Sequence, residues 1–383
     1  MNKEVFLHKH ICLVEDHYNP LGIVRSLGEE GIKPIVLLCS PHPRLVLHSK
    51  YIGELYTFNT IEEGFEYMVN HYGNEEKKPF VYNGSDDITL LLDKHYEELK
   101  DHFYFTNGQG GLEKYLQKYD ACVLAEECGI RIPKEELLEV GTLPTTLRYP
   151  VITKAATSSL GSWKDQSFIC EDEKSLKEAY SQLKVKTILV QEYIRKKNEL
   201  CIDGISINGG DQVFMPYGCG YHRMKPGSYG NYMYFNPFID KDLTEKINKL
   251  VKGMKFSGIF CIEFLVGEDG GYYFLEINLR NSGWSYAFTY GGFNLPFRWA
   301  VSTLDNNLYL EDFKALAQFD AMQEDQDLHD CLKVYHISPL KWYKDFHNCE
   351  CCLIYNKKDP KPFRKYLLSE ISRLTKKFVF RIK

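Results

Sequence analysis

The stretch Gly258–Arg280, Gly-Ile-Phe-Cys-Ile-Glu-Phe-Leu-Val-Gly-Glu-Asp-Gly-Gly-Tyr-Tyr-Phe-Leu-Glu-Ile-Asn-Leu-Arg, constrains the chain more than any other. Two apolar runs, Ile259–Val266 and Tyr272–Ile277, flank Asp269-Gly270. Asp-Gly favours a two-residue type I′ turn, because both central residues need positive φ. The segment therefore reads as a β-hairpin in which Glu268 faces Gly271, Glu263 faces Glu276, Cys261 faces Asn278 and Ile259 faces Arg280. Side chains alternate along a strand. One face then carries Glu263, Glu276, Asn278 and Arg280, and the other turns Phe260, Ile262, Phe264, Leu275 and Ile277 to a core.

Carboxylates directly opposite each other repel, and something must offset that. A divalent cation is the simplest candidate. Two acids and an amide oxygen make a hard, oxygen-only ligand set that suits Mg²⁺ (or Mn²⁺) shared with substrate phosphates. The plainer reading is a solvated hairpin face with Arg280 neutralising the acids. A bulge would shift the opposition by one residue.

Composition narrows the setting. The 383 residues are 44% hydrophobic and 26% charged, enough for two or three globular domains, and the net charge of −5 argues against a general nucleic-acid binder. No apolar run of about 18 residues exists to span a membrane. The N-terminus lacks the apolar region of a signal peptide. The twelve cysteines are scattered, several in strand-like runs, as expected of reduced thiols in a cytoplasmic protein. The cluster His347–Cys352 lacks a second CxxC or HxxxH partner for zinc.

Residues 1–113 alternate strand and helix: Ile11–Val14, a helix over Leu21–Leu27, Pro34–Cys39 and Pro79–Tyr82. This rhythm predicts a Rossmann-like parallel sheet, without GxGxxG and so without a dinucleotide. The polar loop Asn83–Asp87 falls at a strand's C-terminal end, where such sheets bind ligands. Residues 114–194 read as a small α+β subdomain. It has a helix over Lys114–Cys128, strands at Tyr149–Lys154, Ser167–Cys170 and Thr187–Glu192, and a helix over Glu173–Leu183. Residues 195–310 hold a strand from Glu199 to Ile207, the loop Tyr221–Gly230, a helix over Leu243–Met254 and the hairpin, predicting an antiparallel-sheet domain. Residues 311–383 form an extension with a basic tail, ten Lys/Arg against Asp359 and Glu370 from Lys357 onward. Such a tail can meet an anionic membrane surface, although a solvated helix face is the plainer reading.

The middle of the chain reads as an ATP site. Lys154 ends a strand beside the small-residue loop Thr157–Ser162, where Ser158, Ser159, Gly161 and Ser162 offer hydroxyls and backbone N–H groups to phosphate oxygens. Gln191, Glu192 and Ile194 lie at a strand end whose backbone edge can read adenine. Glu199 can accept hydrogen bonds from ribose hydroxyls. Arg223 and Lys225, in a Gly/Pro-containing loop, are candidates for a γ-phosphate or a substrate carboxylate, or are simply surface charges.

The order Lys118, Lys154, Gly161, Glu192, Glu199, Glu263, Glu276, Asn278, Arg280 resembles the ATP-grasp superfamily, in particular D-aspartate ligase-like and carbamoyl-phosphate-synthase-large-chain-like carboxylate–amine ligases. The resemblance spans about residues 10–300 and is distributed. Lys118 with Gly129-Ile-Arg-Ile-Pro133 is similar to the lysine-helix entry into the central domain, where the family lysine contacts phosphate. Val190–Ile194 resembles the adenine hinge, and Glu263 with Glu276-x-Asn278-x-Arg280 the metal ligands and reaction-site arginine. Gln117 stands where an Asp is usual, the phosphate loop is serine-rich, and no acceptor motif matches. The resemblance implies an ATP-grasp fold and acylphosphate chemistry that joins a carboxylate to an amine, such as an amino acid on a cell-wall or capsule precursor. Two alternatives stay open: phosphorylation of bicarbonate, and a non-catalytic ATP-binding module. The expected partners are small-molecule amino acids and carboxylates, and oligomeric state is not legible.

Overall fold

A computed structural model describes residues 2–116, 118–154, 167–225, 228–310 and 315–370. The Lys118 side chain, the loop carrying Ser158, Ser159, Gly161 and Ser162, and the end of the basic tail lie outside the described residues.

The first sheet is parallel, in the order β3-β2-β1-β4-β5, from β1 (His10–Val14), β2 (Ile35–Cys39), β3 (Glu54–Phe58), β4 (Phe80–Tyr82) and β5 (Tyr104–Phe105). β1 and β2 are buried throughout, as unbroken apolar runs covered on both faces must be. The helix Ile61–Tyr72 starts where the Thr60 hydroxyl accepts from the Glu63 N–H, and it packs close enough that a Cβ on Gly64 would lie 2.4 Å from Cys39 Sγ. The stretch expected to be a polar loop at Asn83–Asp87 is a helix start instead. Ser85 caps Asp86–Lys94, leaving Asp86 and Asp87 in the first turn, where the helix dipole favours acids.

The second sheet is antiparallel, β6-β9-β7-β8, built from β6 (Glu135–Glu139), β7 (Val151–Lys154), β8 (Ile169–Cys170) and β9 (Thr187–Glu192). The helix Glu173–Tyr180 covers it with Leu176, Ala179 and Tyr180. The single helix expected over Lys114–Cys128 is two, Leu112–Tyr115 and Lys118–Glu127.

Residues 193–195 lead into the third sheet, β15-β14-β10-β12-β13-β16-β17, with β11 paired to β10. Its strands are β10 (Lys196–Ile207), β11 (Gln212–Phe214), β12 (Tyr217–Arg223), β13 (Tyr232–Pro237), β14 (Gly258–Gly267), β15 (Tyr272–Asn278), β16 (Phe319–Met322) and β17 (Cys351–Cys352). All pairs are antiparallel except β16 with β17. The sheet runs past the boundary expected at residue 310, because the extension supplies its last two strands. One face buries Ile202, Phe260, Ile262, Phe264, Phe274 and Ile277 against Leu243, Ile247, Leu250 and Val251 of the helix Lys241–Gly253. Each such side chain contributes roughly 1.5–3 kcal/mol. Among the described residues no helix is long and apolar enough to cross a membrane.

The hairpin β14–β15 forms as expected where it matters and differs near its turn. Glu263 lies opposite Glu276 and Cys261 opposite Asn278, and the ladder ends there, short of Arg280. A bulge at Leu275 then shifts the register, so Phe264 pairs with Phe274. The extra residue turns Phe274 into the core and leaves Leu275 half-buried. The turn has three residues, Glu268-Asp269-Gly270. Only Gly270 has positive φ (75°), and the Asp269 carboxylate accepts from the Gly271 N–H at 3.0 Å. That bond holds Asp269 out of the left-handed region a type I′ turn requires.

Candidate active site

Strand pairing places the acids. Cys201 of β10 is opposite Glu263, which is opposite Glu276, and Asp203 is opposite Cys261, which is opposite Asn278. Directly opposed residues share a face. Glu199, Cys201, Asp203, Glu263, Glu276 and Asn278 therefore line the face of the large sheet turned away from the helix Lys241–Gly253. A carboxylate oxygen of Glu199, the Cys201 sulfur and an oxygen of Glu263 lie within 4.8 Å of one another. At that separation two full charges repel by about 3 kcal/mol at an effective dielectric near 20.

The electrostatics register this crowding. Burial, then Glu276 and Glu199, push the Glu263 carboxyl well above the usual range. Burial also raises Glu199, which Lys196 beside it and Lys154 pull back down. Lys196 Nζ donates to the Glu199 carboxylate and to the Ser228 carbonyl at 2.8 Å. Asn278 Nδ2 sits 3.4 Å from both Glu263 Oε1 and Glu276 Oε1, while its Oδ1 accepts from Arg280 Nη2 at 3.0 Å. Arg280 also reaches the first sheet, with Nε 2.9 Å from Asp86 Oδ1 at the start of the helix Asp86–Lys94. Below them Asp203, 1% exposed, accepts from the Ser282 and Ser285 hydroxyls at 2.5 and 2.7 Å.

The donor set fits a hard cation. Glu263, Glu276 and Asn278 offer oxygens, with the Asn278 amide turned over so that Oδ1 faces the acids. The tightest cluster substitutes Glu199 and Cys201 for Glu276 and Asn278. The oxygen set is the better match, because burial pushes the Cys201 thiol far up and keeps it protonated, and Mg²⁺ does not take a thiol.

The small sheet supplies the opposing wall. Lys154, at the end of β7, donates to Gln191 Oε1 at 2.7 Å, and Gln191 Nε2 donates to Glu135 Oε2 at 2.6 Å. Burial raises the Glu135 carboxyl, and Lys154 draws it back. Glu192 closes β9, with its N–H on the Lys134 carbonyl at 2.8 Å. Ile194 follows in the connection to β10, lying against Gly267 of the hairpin.

Arg223 and Lys225 do not join this constellation. Arg223 is clamped by Asp327 and Asp345, and Lys225 lies 2.7 Å from Asp330, all in the extension. Their charges are matched by these carboxylates. Sequence reasoning missed Cys201, Asp203, Lys196 and Glu135. The alternation Glu199-Leu-Cys201-Ile-Asp203 was a signal for the first two. Asp86 lies in the stretch Asn83–Asp87 already marked as a ligand-binding position, and what local sequence could not show is its partner, 194 residues away.

A parallel sheet, a small antiparallel sheet and a large acid-bearing sheet, in this chain order, are the layout of the ATP-grasp fold. Residues 129–283 match the RimK-like ATP-grasp domain. Among sequence relatives, D-aspartate ligase of Enterococcus faecium is 24% identical over 258 residues, 61% of each chain. N5-carboxyaminoimidazole ribonucleotide synthase of Staphylococcus aureus is 27% identical over 160 residues, 40% of each chain. The chain thus spans less than two thirds of these relatives' length. Among solved structures, N5-carboxyaminoimidazole synthetase from S. aureus superposes with a TM-score of 0.66 at 15% identity over 86% of both chains, and it is also known complexed with ADP. L-amino acid ligase from Bacillus licheniformis gives 0.61 at 15% identity, covering 82% of this chain and 79% of that one.

Proposed function

We propose that the chain is an ATP-dependent, ADP-forming carboxylate–amine ligase. The observation that carries this reading is the gathering of Glu199, Glu263, Glu276, Asn278 and Arg280 on one sheet face, within reach of the Lys154 charge. In this reading Gln191, Glu192 and Ile194 border adenine, Glu199 takes the ribose hydroxyls, and Lys154 neutralises phosphate. Lys118 and the loop with Ser158, Ser159, Gly161 and Ser162 are assigned to phosphate on sequence grounds. Glu263, Glu276 and Asn278 would hold Mg²⁺, which would supply positive charge to offset that of the phosphates.

The substrate carboxylate takes the γ-phosphoryl group and ADP leaves. The amine then attacks the acylphosphate carbon and phosphate departs, leaving an amide. Arg280, tethered to Asp86, stabilises the negative charge on the transferred group from a fixed position. An amino acid as one of the two substrates fits the names of two relatives, D-aspartate ligase and L-amino acid ligase.

ADP release by the purified chain with Mg²⁺ tests the proposal. D- and L-aspartate and alanine would be screened against carboxylate partners and bicarbonate, with Glu276→Gln as control. Release that needs a particular acid and amine together is the expected result. Release with bicarbonate alone would move the protein to carboxyphosphate chemistry, and ATP binding without ADP release in any combination would leave a missing lipid- or polymer-linked acceptor or a non-catalytic module.

A further inference from the structure

The C-terminal extension reaches the cleft through the loop after β12. Arg223 sets Nε and Nη2 on the two oxygens of Asp327, at 3.1 and 2.5 Å, and Nη1 on Asp345 at 2.7 Å. Asp327 is fully buried and also accepts from Trp342 Nε1 at 3.0 Å, while the Tyr232 ring lies 4.8 Å from the guanidinium. Two residues on, Lys225 Nζ is 2.7 Å from Asp330 Oδ2, and Asn231 Nδ2 is 2.7 Å from the same oxygen. Gln326 and His329 bond the other oxygen of Asp330, which is 1% exposed. Both ends of the loop are thus fastened to one buried carboxylate. Between them the Ser228 carbonyl accepts from Lys196, which in turn donates to Glu199.

We infer that Asp327, Asp330 and Asp345 are positioning residues, and that Arg223 and Lys225 serve the nucleotide site as anchors of this loop instead of as phosphate ligands. The inference rests on the reading of Glu199 as a nucleotide contact. Cations already matched by buried acids have little charge left to offer a phosphate, and the aspartates make bonds that fix orientation. With the loop fastened, the Ser228 carbonyl shares the Lys196 ammonium, so Glu199 keeps acceptor capacity for a hydroxyl. With the loop released, Lys196 rests on Glu199 alone and ties up its oxygens.

The test uses the full chain with Mg²⁺ and ADP. Dissociation constants would be measured by calorimetry for wild type, Lys225→Met, Asp330→Asn and the double variant, with thermal midpoints alongside. Lys225→Met should weaken ADP binding roughly tenfold, Asp330→Asn at least as much because it also loosens Asn231, and the double change no more than Asp330→Asn alone, because Lys225 has then already lost its partner. For turnover, KM for ATP should rise while kcat changes little. Unchanged binding in Lys225→Met would overturn the inference, as would strictly additive losses. So would a kcat loss of about 100-fold in Lys225→Met with Asp330→Asn silent, since that marks a direct phosphate ligand. Lys225 is partly exposed, so its variant stays informative if Asp330→Asn folds poorly. Wild type that fails to bind ADP would bring down the nucleotide-site reading itself and the inference with it. Wild type that binds while the variants match it would sink only the inference.

Discussion

Two sets of buried charge sit at opposite ends of the same structural logic. Around Arg25, every guanidinium nitrogen has an acceptor. Arg25 and Asp359 are both fully buried, with Nε 3.2 Å from Asp359 Oδ2. Its other nitrogens reach the Leu353 and Ile354 carbonyls at 2.9 Å. Asp359 is completed by the Ser49 hydroxyl at 2.8 Å and the Lys50 N–H at 3.0 Å. Glu324 takes the N–H groups of Ile354 and Tyr355, so 353–355 is gripped from both sides. At the cleft, Glu199, Glu263 and Glu276 crowd one face, where burial and the neighbouring acids together push Glu263 up. A closed charge set holds the chain together. An over-acidic one stores repulsion that a cation would relieve, at some cost to stability without it.

Three perturbations would break or sharpen that contrast. The largest effect belongs to Glu276→Gln. Turnover should fall by at least about 10³-fold, some 4 kcal/mol of activation free energy, while the thermal midpoint measured without Mg²⁺ holds or rises, because one of the crowded acids is gone. A variant as active as wild type would remove Glu276 from the site. Next comes Arg25→Met, which strands the buried Asp359 charge. Denaturant titration should show a loss of about 3–5 kcal/mol, with ADP affinity of the folded fraction unchanged. A loss below about 1 kcal/mol would mean that the closed set is not what holds 353–355.

The smallest effect is a pH dependence on the structural side. Burial raises the Glu324 carboxyl to about 7 from its ordinary 4.5, against the lowering pull of the Ile354 and Tyr355 N–H groups. The folded state therefore keeps a proton that the unfolded chain gives up. Its contribution is fully present below pH 4.5 and is lost as pH rises through 7, a change of about 3 kcal/mol. Unfolding of Glu324→Gln measured across that window should lack this slope. An identical slope in the variant would assign it to another group.

The contrast also marks what could be read from sequence. The hairpin acids were legible because strand alternation is rigid: once Ile259–Val266 is a strand, Glu263 and Cys261 must share a face. The parallel sheet was legible from its unbroken apolar runs. The turn was not, because Asp269 had a competing bond to Gly271, and the shift of Phe274 into the core followed from that one extra residue. The partners of Arg223 and Lys225 were hidden for a different reason. Local sequence shows a charge but not its partner, and Asp327, Asp330 and Asp345 lie about a hundred residues away. The same limit hid Arg25, whose partner is 334 positions distant.

β16 and β17 give the extension a second consequence. They continue the large sheet beyond β13. A shortened chain ending at residue 310 would leave β13 with a bare row of N–H and C=O groups, an invitation to edge-to-edge aggregation. The helical segment is therefore no detachable appendage. Fragment boundaries, fusion sites and any exchange of this region between related chains must carry residues 319–352 along with the core, or replace the strand cover they provide.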